Sequence, residues 1–460
     1  MRKNILIYIV CYFPLLAFTQ SLSSTDNLTG KWKFNVNVDG LGDLSLLINI
    51  EKTSDSTFTA FSRQNAMKEI LGGMKQFMAN LFVKQYKKGV FVRVFNGKIK
   101  GDSLRGIFTA PGIGMYFNAK VENGKLIGSL GDDKLGNNKK VNNLFTAVPY
   151  NKECIDYNYS SLVLKIKEAF EQNIFNPHIL EESQWKKFFN QLDDLIPFVR
   201  DDLEFFIGFS NLSNKIDMSH IGVLKSNPWT SIDDNLKDLV ETKMLDTNTA
   251  YIKFRGFALA DTLIIRNFFN SIINQNIPNL IIDMRACGGG DYSSMFLASY
   301  LIKNSMDAGF FIGNKYFKEN NHLPNEIMIR NAPVYKGNSL KEFLQAIIDN
   351  GLLSGQVIPD KQLHYSGKVF CLIDNYSASA TEPIAYFLKQ HNLAVLVGEK
   401  TAGDMLSSTF IDIQDSWVLV VPTADYYTSD QFRIEGNGVK PNVKVKSKRA
   451  LEYVFDKMIK

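Results

Sequence analysis

The chain has 460 residues, 45% of them hydrophobic, which is enough for about two to four domains with buried cores. Its 52 basic and 47 acidic residues leave a formal net charge of +5, and because no basic stripe concentrates this small excess, nucleic-acid binding has no support. No low-complexity tract or long block of like charge indicates intrinsic disorder.

The N-terminal segment, MRKNILIYIVCYFPLLAFTQ, has a basic start and an apolar run from Ile5 to Phe18. The run is shorter than the roughly 20 residues that a membrane-spanning helix needs, and the pattern is typical of a secretory signal peptide cleaved near Thr19 or Gln20. We therefore expect residues 1–20 to be a signal peptide and the protein to be exported, either to the periplasm or outside the cell. We expect no integral membrane segment after cleavage.

Three cysteines remain after the predicted cleavage: Cys154, Cys287 and Cys371. Their wide spacing is not that of a disulfide framework, and it lacks the paired spacing of a zinc site. One disulfide with one free thiol is compatible with this count, and the sequence does not choose the pair. No metal or organic cofactor is implied.

Residues 25–150 contain short runs in which apolar and polar side chains alternate, separated by Gly, Asn and Asp. This is the pattern of β-strands joined by turns, and one helical stretch at residues 65–86 interrupts it. We expect a β-rich N-terminal domain over residues 25–150, either a small sandwich or a barrel. No cluster of residues in it is typical of a catalytic site.

The period of the pattern changes after this domain. Residues 155–245 carry apolar side chains at spacings of three and four, which predicts a small helical region. Residues 247–460 alternate between buried strands and helices, which predicts an α/β core. Within this core, residues 307–366 are predicted to be a long irregular connection with one helix near 339–350, and such connections are often lids or binding loops.

The segment NYSASATEP, residues 375–383, lies between a predicted buried strand and a predicted helix. Ser379 and Glu382 have the spacing of a capping box, in which each side chain accepts a backbone N–H at the start of a helix. Alternatively, Ser379 is exposed at a sharp strand-to-helix turn, as nucleophiles of hydrolases are. The segment by itself is compatible with both interpretations.

A second segment, IIDMRACGGGD at residues 281–291, places three glycines between a buried strand and a helix. The spacing is neither that of a dinucleotide-binding fingerprint nor that of a phosphate-binding loop. The backbone N–H groups of Gly288 and Gly289 could form an oxyanion hole, and a tight structural turn is the alternative.

Two further positions complete a possible hydrolase site. His220 lies between an apolar helix and a strand and follows Ser219, and Glu435 precedes Gly-Asn-Gly in RIEGNGVKPNVKV. Each has an ordinary alternative, a structural histidine and an exposed turn glutamate. Taken together, the four segments supply a hydroxyl, a base, an orienting carboxylate and N–H donors, which are the parts of a serine hydrolase.

The same segments closely resemble the C-terminal processing peptidase / tricorn core family of serine peptidases, over about residues 155–460. The family pattern places the nucleophile on Ser379. Processing peptidases use a Ser/Lys dyad, but the position of that lysine holds Asp404 here, and Lys400 lies four residues too early. The tricorn-like branch uses a serine-histidine pair and a glutamate, and the residues that match these are Ser219, His220 and Glu435.

The resemblance implies an α/β fold with a crotonase-like (ClpP-like) spiral β-sheet core, and cleavage of a peptide or protein substrate. It also implies an oxyanion hole formed by Ala380 and the Gly288–Gly289 loop. Retinoid-binding relatives share this core, so a non-catalytic exported binding protein for a lipid or another apolar ligand is the alternative. An acyl-CoA enzyme of the crotonase type is disfavoured, because export separates it from coenzyme A. The resemblance implies no particular oligomeric state.

Overall fold

The structure is a computed structural model, and it describes residues 25, 27–38, 40–72, 88–110, 113–131, 143–150, 157–226, 239–291, 293–335 and 339–459. The predicted signal peptide, Cys154 and most of the predicted helical stretch at 65–86 lie outside the described residues. None of the described helices combines the length and the apolar composition that crossing a membrane requires.

The chain divides into two compact units, each of which draws on more than one segment. The first unit consists of Met1–Val36, Leu46–Asn65 and Ala79–Cys154. The second consists of Asn37–Ser45, Ala66–Met78 and Ile155–Lys460.

Eight strands close into a barrel in the order in which they occur along the chain. Of the two architectures that the alternating pattern left open, sandwich and barrel, the structure therefore contains the barrel. The strands are β1 Gly30–Val38, β2 Gly42–Ser54, β3 Thr57–Phe61, β4 Arg93–Lys100, β5 Ser103–Ala110, β6 Ile113–Glu122, β7 Lys125–Gly131 and β8 Asn143–Pro149.

Side chains fill the interior of the barrel, as expected for a barrel of eight strands. Phe34, Phe58, Phe117 and Phe145 are all buried, and the rings of Phe34 and Phe145 lie 5.2 Å apart between their centroids. The alternation of buried and exposed residues along β2 follows from the opposite orientation of successive side chains in a strand.

Three helices open the described part of the second unit after residue 157: Tyr159–Asn173, Ser183–Leu195 and Asp202–Ser213. Two of them begin with side-chain caps, since Asn158 accepts from the N–H of Ser161 and Asp201 from that of Glu204. Their apolar faces pack into one core that is rich in aromatic residues. This core includes Phe170, Trp185, Phe188, Phe205 and Phe209.

A six-stranded sheet of order β10-β11-β12-β16-β17-β20 follows in this unit. The adjacent strands in this order, from β11 to β20, pair in parallel. Parallel sheets are usually covered on both faces. Here Ile282 of β12 packs in the core that includes helices Thr262–Asn274 and Thr381–Gln390, whereas Ile281 packs with the C-terminal helix Ala450–Val454. The strands are β10 Val240–Asp246, β11 Thr249–Phe254, β12 Asn279–Asp283, β16 Lys368–Ile373, β17 Val395–Gly398 and β20 Val443–Lys444.

A second sheet of the unit has the order β14-β15-β13-β19-β18, and β9 pairs with β19. The strands are β9 Gly222–Leu224, β13 Met306–Gly313, β14 Val334–Tyr335, β15 Leu352–Val357, β18 Ser407–Gln414 and β19 Trp417–Tyr427. The remaining α-helices described are Ala66–Leu71, Ser294–Ser299, Asn314–Glu319, Glu326–Asn331 and Leu340–Asn350. Short 3₁₀ helices lie at Pro177–Glu181, Ile196–Phe198, Leu259–Asp261 and Ser447–Arg449, and a π-helical turn lies at Phe455–Ile459.

The prediction of an α/β core is confirmed, but the prediction of an irregular connection over 307–366 is wrong. Apart from the expected helix Leu340–Asn350, the described residues of this segment form three strands and two further helices. β13 was not predicted as a strand, because its register shifts between Asp307 and Phe310 and its last six residues are all buried. A strand of this kind lacks the simple alternation from which strands are predicted.

Candidate active site

The carboxyl ends of β12 and β16 bring two of the predicted segments together. The two strands are parallel neighbours, with Asp283 opposite Leu372 at their ends, so the glycine loop and the segment NYSASATEP leave the same edge of the sheet. Ligands of open α/β sheets bind at this edge.

Two of the three serine and threonine hydroxyls in NYSASATEP hold these loops to each other. Ser377 Oγ donates to the carbonyl of Met284 at 2.8 Å and accepts from the N–H of Asp374 at 2.9 Å. Thr381 Oγ1 donates to the carbonyl of Cys287 at 3.1 Å. Ser379, which lies between them, instead lines a pocket.

Ser379 has φ of 55°, a left-handed conformation that is uncommon for a residue other than glycine. Its N–H is directed at two acceptors, the carbonyl of Asp404 at 2.9 Å and Glu382 Oε2 at 3.2 Å. The helix that follows has Ala380 as its N-cap and no side-chain cap hydrogen bond. Only the glutamate half of the predicted capping box is therefore present, and the Ser379 hydroxyl is not used as a cap.

The glycine loop lies directly against Ser379. A Cβ built on Gly289, whose φ is 93°, would lie 2.6 Å from Ser379 Cβ and 2.8 Å from the backbone N of Ala380. Real Cβ atoms do not approach other atoms so closely, so this position requires glycine.

His220 and Glu435 are joined through the hydroxyl of Ser219. Ser219 Oγ lies 2.6 Å from His220 Nδ1 and donates to Glu435 Oε2 at 2.9 Å. Because a carboxylate oxygen accepts, the single hydroxyl proton belongs to the bond with Glu435. The hydroxyl oxygen must then accept from His220 Nδ1–H, which leaves Nε2 unprotonated in the neutral ring.

Glu435 is buried, and four donors surround it. The backbone N–H of Ser219 donates to Oε1 at 2.8 Å, and the N–H groups of Met405 and Leu406 donate to Oε2 at 2.7 and 3.2 Å. With the Ser219 hydroxyl, these bonds hold the carboxylate in one orientation. It is not the exposed turn glutamate of the alternative interpretation.

The ring of His220 is mostly shielded from water. Burial lowers the pKa of His220 below its ordinary value of 6.5, while the charges of Glu435 and Asp404 act in the opposite direction. The imidazole is therefore neutral at physiological pH, which is the form that can accept a proton.

His220 and Ser379 line the same pocket, which has a volume of about 340 Å³. Among the described residues that line it, Asp291 is the one with a carboxyl side chain, and none is a lysine or an arginine. Most of its remaining wall is apolar. The larger apolar side chains are Phe257, Met295, Leu340, Met405, Leu406 and Phe410.

Of the predicted oxyanion donors, Ala380 is among the residues that line this pocket, and Gly288 and Gly289 are not. Gly290, which the sequence did not single out, also lines it. Gly288 is exposed, whereas Gly289 is buried and its carbonyl accepts from the N–H of Phe257 at 2.9 Å. Gly290 could have been found only from its adjacency to the predicted pair.

Asp404, which occupies the position of the lysine in a Ser/Lys dyad, and the nearby Lys400 are both exposed. The carbonyl of Asp404 accepts the N–H of Ser379, and its side chain has the wrong charge for a dyad base. Lys400 does not line the pocket. The described residues thus offer no lysine in the place of His220.

Cys287 and Cys371 are free and buried, and burial raises the pKa of both thiols. In the described part of the chain, no group of three or more His, Cys, Asp or Glu side chains could hold a metal ion.

Residues 248–445 match the model of peptidase family S41, which confirms the resemblance seen in the sequence. The chain is 33% identical over 86 residues to carboxyl-terminal-processing peptidase 1, chloroplastic, of Arabidopsis thaliana, covering 19% of this chain and 18% of that protein. It is 24% identical over 172 residues to the tail-specific protease of Haemophilus influenzae, covering 37% of this chain and 20% of that protein.

These matched stretches span about a fifth of the length of the two curated relatives. Among solved structures, the photosystem II D1 C-terminal processing protease superposes with a TM-score of 0.41 at 13% identity, over 64% of this chain and 94% of that one.

Proposed function

We propose that the chain is an exported serine peptidase that cleaves peptide bonds in peptide or protein substrates through an acyl-enzyme. Ser379 is the nucleophile and His220 the general base. Glu435 orients His220 through Ser219. The observation that carries the proposal is the hydrogen-bonded chain from Glu435 through Ser219 to His220, in a pocket that Ser379 also lines.

In this mechanism Ser379 Oγ attacks the carbonyl carbon of the scissile bond, and His220 Nε2 takes the hydroxyl proton. The imidazolium then gives this proton to the leaving amine. The Ser219 hydroxyl accepts a hydrogen bond from His220 and donates one to Glu435. Through these two bonds the negative charge of Glu435 stabilises the imidazolium. Water, activated by the same histidine, releases the acyl group from Ser379.

The negative oxygen of the tetrahedral intermediate needs N–H donors. We assign the N–H of Ala380, at the start of a helix, as one donor, and an N–H of the Gly288–Gly289 loop as the other. Removing one such donor typically raises the barrier by about 3 kcal/mol. The close approach of Gly289 to Ser379 and to the backbone N of Ala380 supports the loop's part in this arrangement.

The match of residues 248–445 to peptidase family S41 also supports a finer fold assignment, a crotonase-like (ClpP-like) spiral β-sheet core. We propose that the peptidase part comprises the helical region 155–245 and the α/β core 247–460, which follow the β-rich domain 25–150 in the sequence. The basic and apolar N-terminal pattern supports removal of residues 1–20 and export to the periplasm or the medium.

The proposal is tested by labelling with a fluorophosphonate, which reacts with activated serines. The parent is expected to be labelled, and Ser379→Ala and His220→Ala are expected not to be. Ser377→Ala serves as a control for the assignment among the serines, with folding checked by circular dichroism. A folded parent that is not labelled would contradict the peptidase function, and its apolar pocket would then favour the alternative of an exported carrier of apolar ligands.

A further inference from the structure

Glu382 is a fully buried carboxylate in the first turn of the helix that follows Ser379. Its Oε1 accepts from Thr401 Oγ1 at 2.6 Å and from the N–H of Gly403 at 2.8 Å. Its Oε2 accepts from the N–H of Asp404 at 2.9 Å and from the N–H of Ser379 at 3.2 Å. Oε1 is thus bound entirely by one turn, residues 401–404, whereas Oε2 is shared between this turn and Ser379.

This turn is also tied to the segment that carries Glu435. Thr401 Oγ1 accepts from the N–H of Val439 at 2.6 Å, and the carbonyl of Gly403 accepts from the N–H of Gly436 at 2.8 Å. The next two residues, Met405 and Leu406, donate their N–H groups to Glu435 itself. Glu382 therefore holds a short stretch of backbone that contacts the nucleophile at one end and the orienting carboxylate at the other.

The conformation of Ser379 makes such support necessary. A left-handed φ at a residue other than glycine is sparsely populated and persists only where the surroundings impose it. The acceptors that hold its N–H are Glu382 Oε2 and the carbonyl of Asp404. Since the N–H of Asp404 is itself bound to Glu382, both acceptors depend on this carboxylate.

We propose that Glu382 is a positioning residue whose ionised form holds Ser379 and the turn 401–404 in the reactive arrangement. The inference rests on the proposed function, because it concerns the same nucleophile. A carboxylate accepts at all four of its bonds, whereas a carboxylic acid places a proton on one oxygen and must release one donor. Protonation of Glu382 therefore loosens either the turn or Ser379.

The charge of Glu382 is expected to change within the working pH range. Burial raises the pKa of Glu382 to about 7, the hydrogen bonds from Thr401, Gly403 and Asp404 oppose this, and the like charge of Asp404 adds to it. The charge of Asp404 also acts on His220, whose pKa is shifted downward by burial. Two ionisations therefore govern the acid side of the pH profile, and that of Glu382 occurs at the higher pH.

The test is the rate of fluorophosphonate labelling from about pH 5 to about pH 9, where general-base groups titrate. The parent rate is expected to fall on acidification with a midpoint near the pKa of about 7. Glu382→Gln removes this ionisation, so its midpoint is expected to move down to that of His220, below 6.5. Its rate at high pH is expected to be about tenfold lower than that of the parent, because an amide offers fewer acceptors.

Thr401→Val and Thr401→Ser form a matched pair. The valine lacks the hydroxyl that favours the ionised carboxylate, so the midpoint is expected to rise. The serine keeps the hydroxyl and is expected to keep the midpoint of the parent. The midpoint is thus expected to move in opposite directions in Glu382→Gln and Thr401→Val. A general loss of stability cannot produce this result, because it would lower the amount of active protein at every pH.

A parent that is labelled, with the same midpoint in all three variants, would overturn the role of Glu382 and leave the proposed function intact. A folded parent without labelling at any pH would overturn both. The melting temperature as a function of pH gives a readout without activity. Because the pKa of Glu382 is raised by folding, the parent is expected to lose stability relative to Glu382→Gln as the pH rises from about 4.5 to about 7.

Discussion

Ser219 Oγ donates a hydrogen bond to Glu435 Oε2 at 2.9 Å, although 216 positions separate the two residues along the chain. The bond spans two segments that have no local relation, one that precedes β9 and one that follows β19. It also fixes the direction of the bond between Ser219 and His220. The protonation state of the proposed base thus follows from a contact between distant parts of the sequence.

Removal of the Ser219 hydroxyl is expected to slow labelling of Ser379 by about tenfold to a hundredfold, the range for losing a hydrogen bond to a charged group. In Ser219→Ala, the backbone bond to Glu435 Oε1 is kept, but His220 loses the acceptor that selects its tautomer. Ser219→Thr retains a hydroxyl and is the control. Equal labelling rates for the parent and Ser219→Ala would show that the relay is dispensable.

His220 is expected to make the protein less stable at acidic pH. Its pKa is lowered in the folded state by burial, so below about pH 6.5 the unfolded chain binds the proton more readily than the folded one. The melting temperature of the parent should therefore fall relative to that of His220→Gln as the pH decreases from 6.5 toward the folded pKa. A constant difference across this window would contradict the downward shift.

Gly289→Ala is expected to abolish labelling and to destabilise the protein by about 1–3 kcal/mol, the usual penalty for forcing atoms into a packed site. The new Cβ would meet Ser379 Cβ at 2.6 Å, and φ of 93° disfavours alanine in any case. Gly222→Ala is the matched control, because φ there is ordinary and the nearest atom, Val420 Cγ2, is 3.8 Å away. Chemical denaturation and labelling should be measured on both variants, and an active Gly289→Ala would show that the loop can move.

Arg433→Met is expected to destabilise the protein by about 2 kcal/mol, less than for a fully buried pair because Arg433 is partly exposed. Arg433 Nε lies 2.8 Å from Oδ2 of the buried Asp425. Burial already raises the pKa of Asp425 to about 6 despite this partner, and without Arg433 the carboxylate would be left unpaired. Adding Asp425→Asn to Arg433→Met should recover part of the loss in denaturant unfolding, and additive losses would argue against the coupling.

Local sequence patterns predicted the helices and strands whose conformation depends on residues close together in the chain. The barrel strands from β1 to β7 follow from alternation and turn residues, and the three helices after residue 157 follow from apolar spacing. Closure of the barrel could not be predicted, because it depends on β1 pairing with β8, for example Phe34 with Ala147. β13 was missed because burial on both faces and its register shift remove the alternation.

For the candidate site, the residue types in their segments and the family resemblance were sufficient to nominate Ser379, His220 and Glu435. They could not assign roles to the three serine and threonine hydroxyls of NYSASATEP, because the roles of Ser377, Ser379 and Thr381 depend on what each hydroxyl contacts. For Glu382, the sequence predicted only a role in capping a helix.

The sequence by itself determined the period of each element, the position of the turns and the chemical groups available to the chain. Only the tertiary structure decided which of these groups meet: Ser219 with Glu435, Ser377 with Met284, and Glu382 with the turn 401–404. The physical reason is the range of the interactions. Helix and strand preferences are set by neighbours a few residues apart, whereas the orientation of a base and the pKa of a buried carboxylate are set by burial and by donors that packing brings from distant segments.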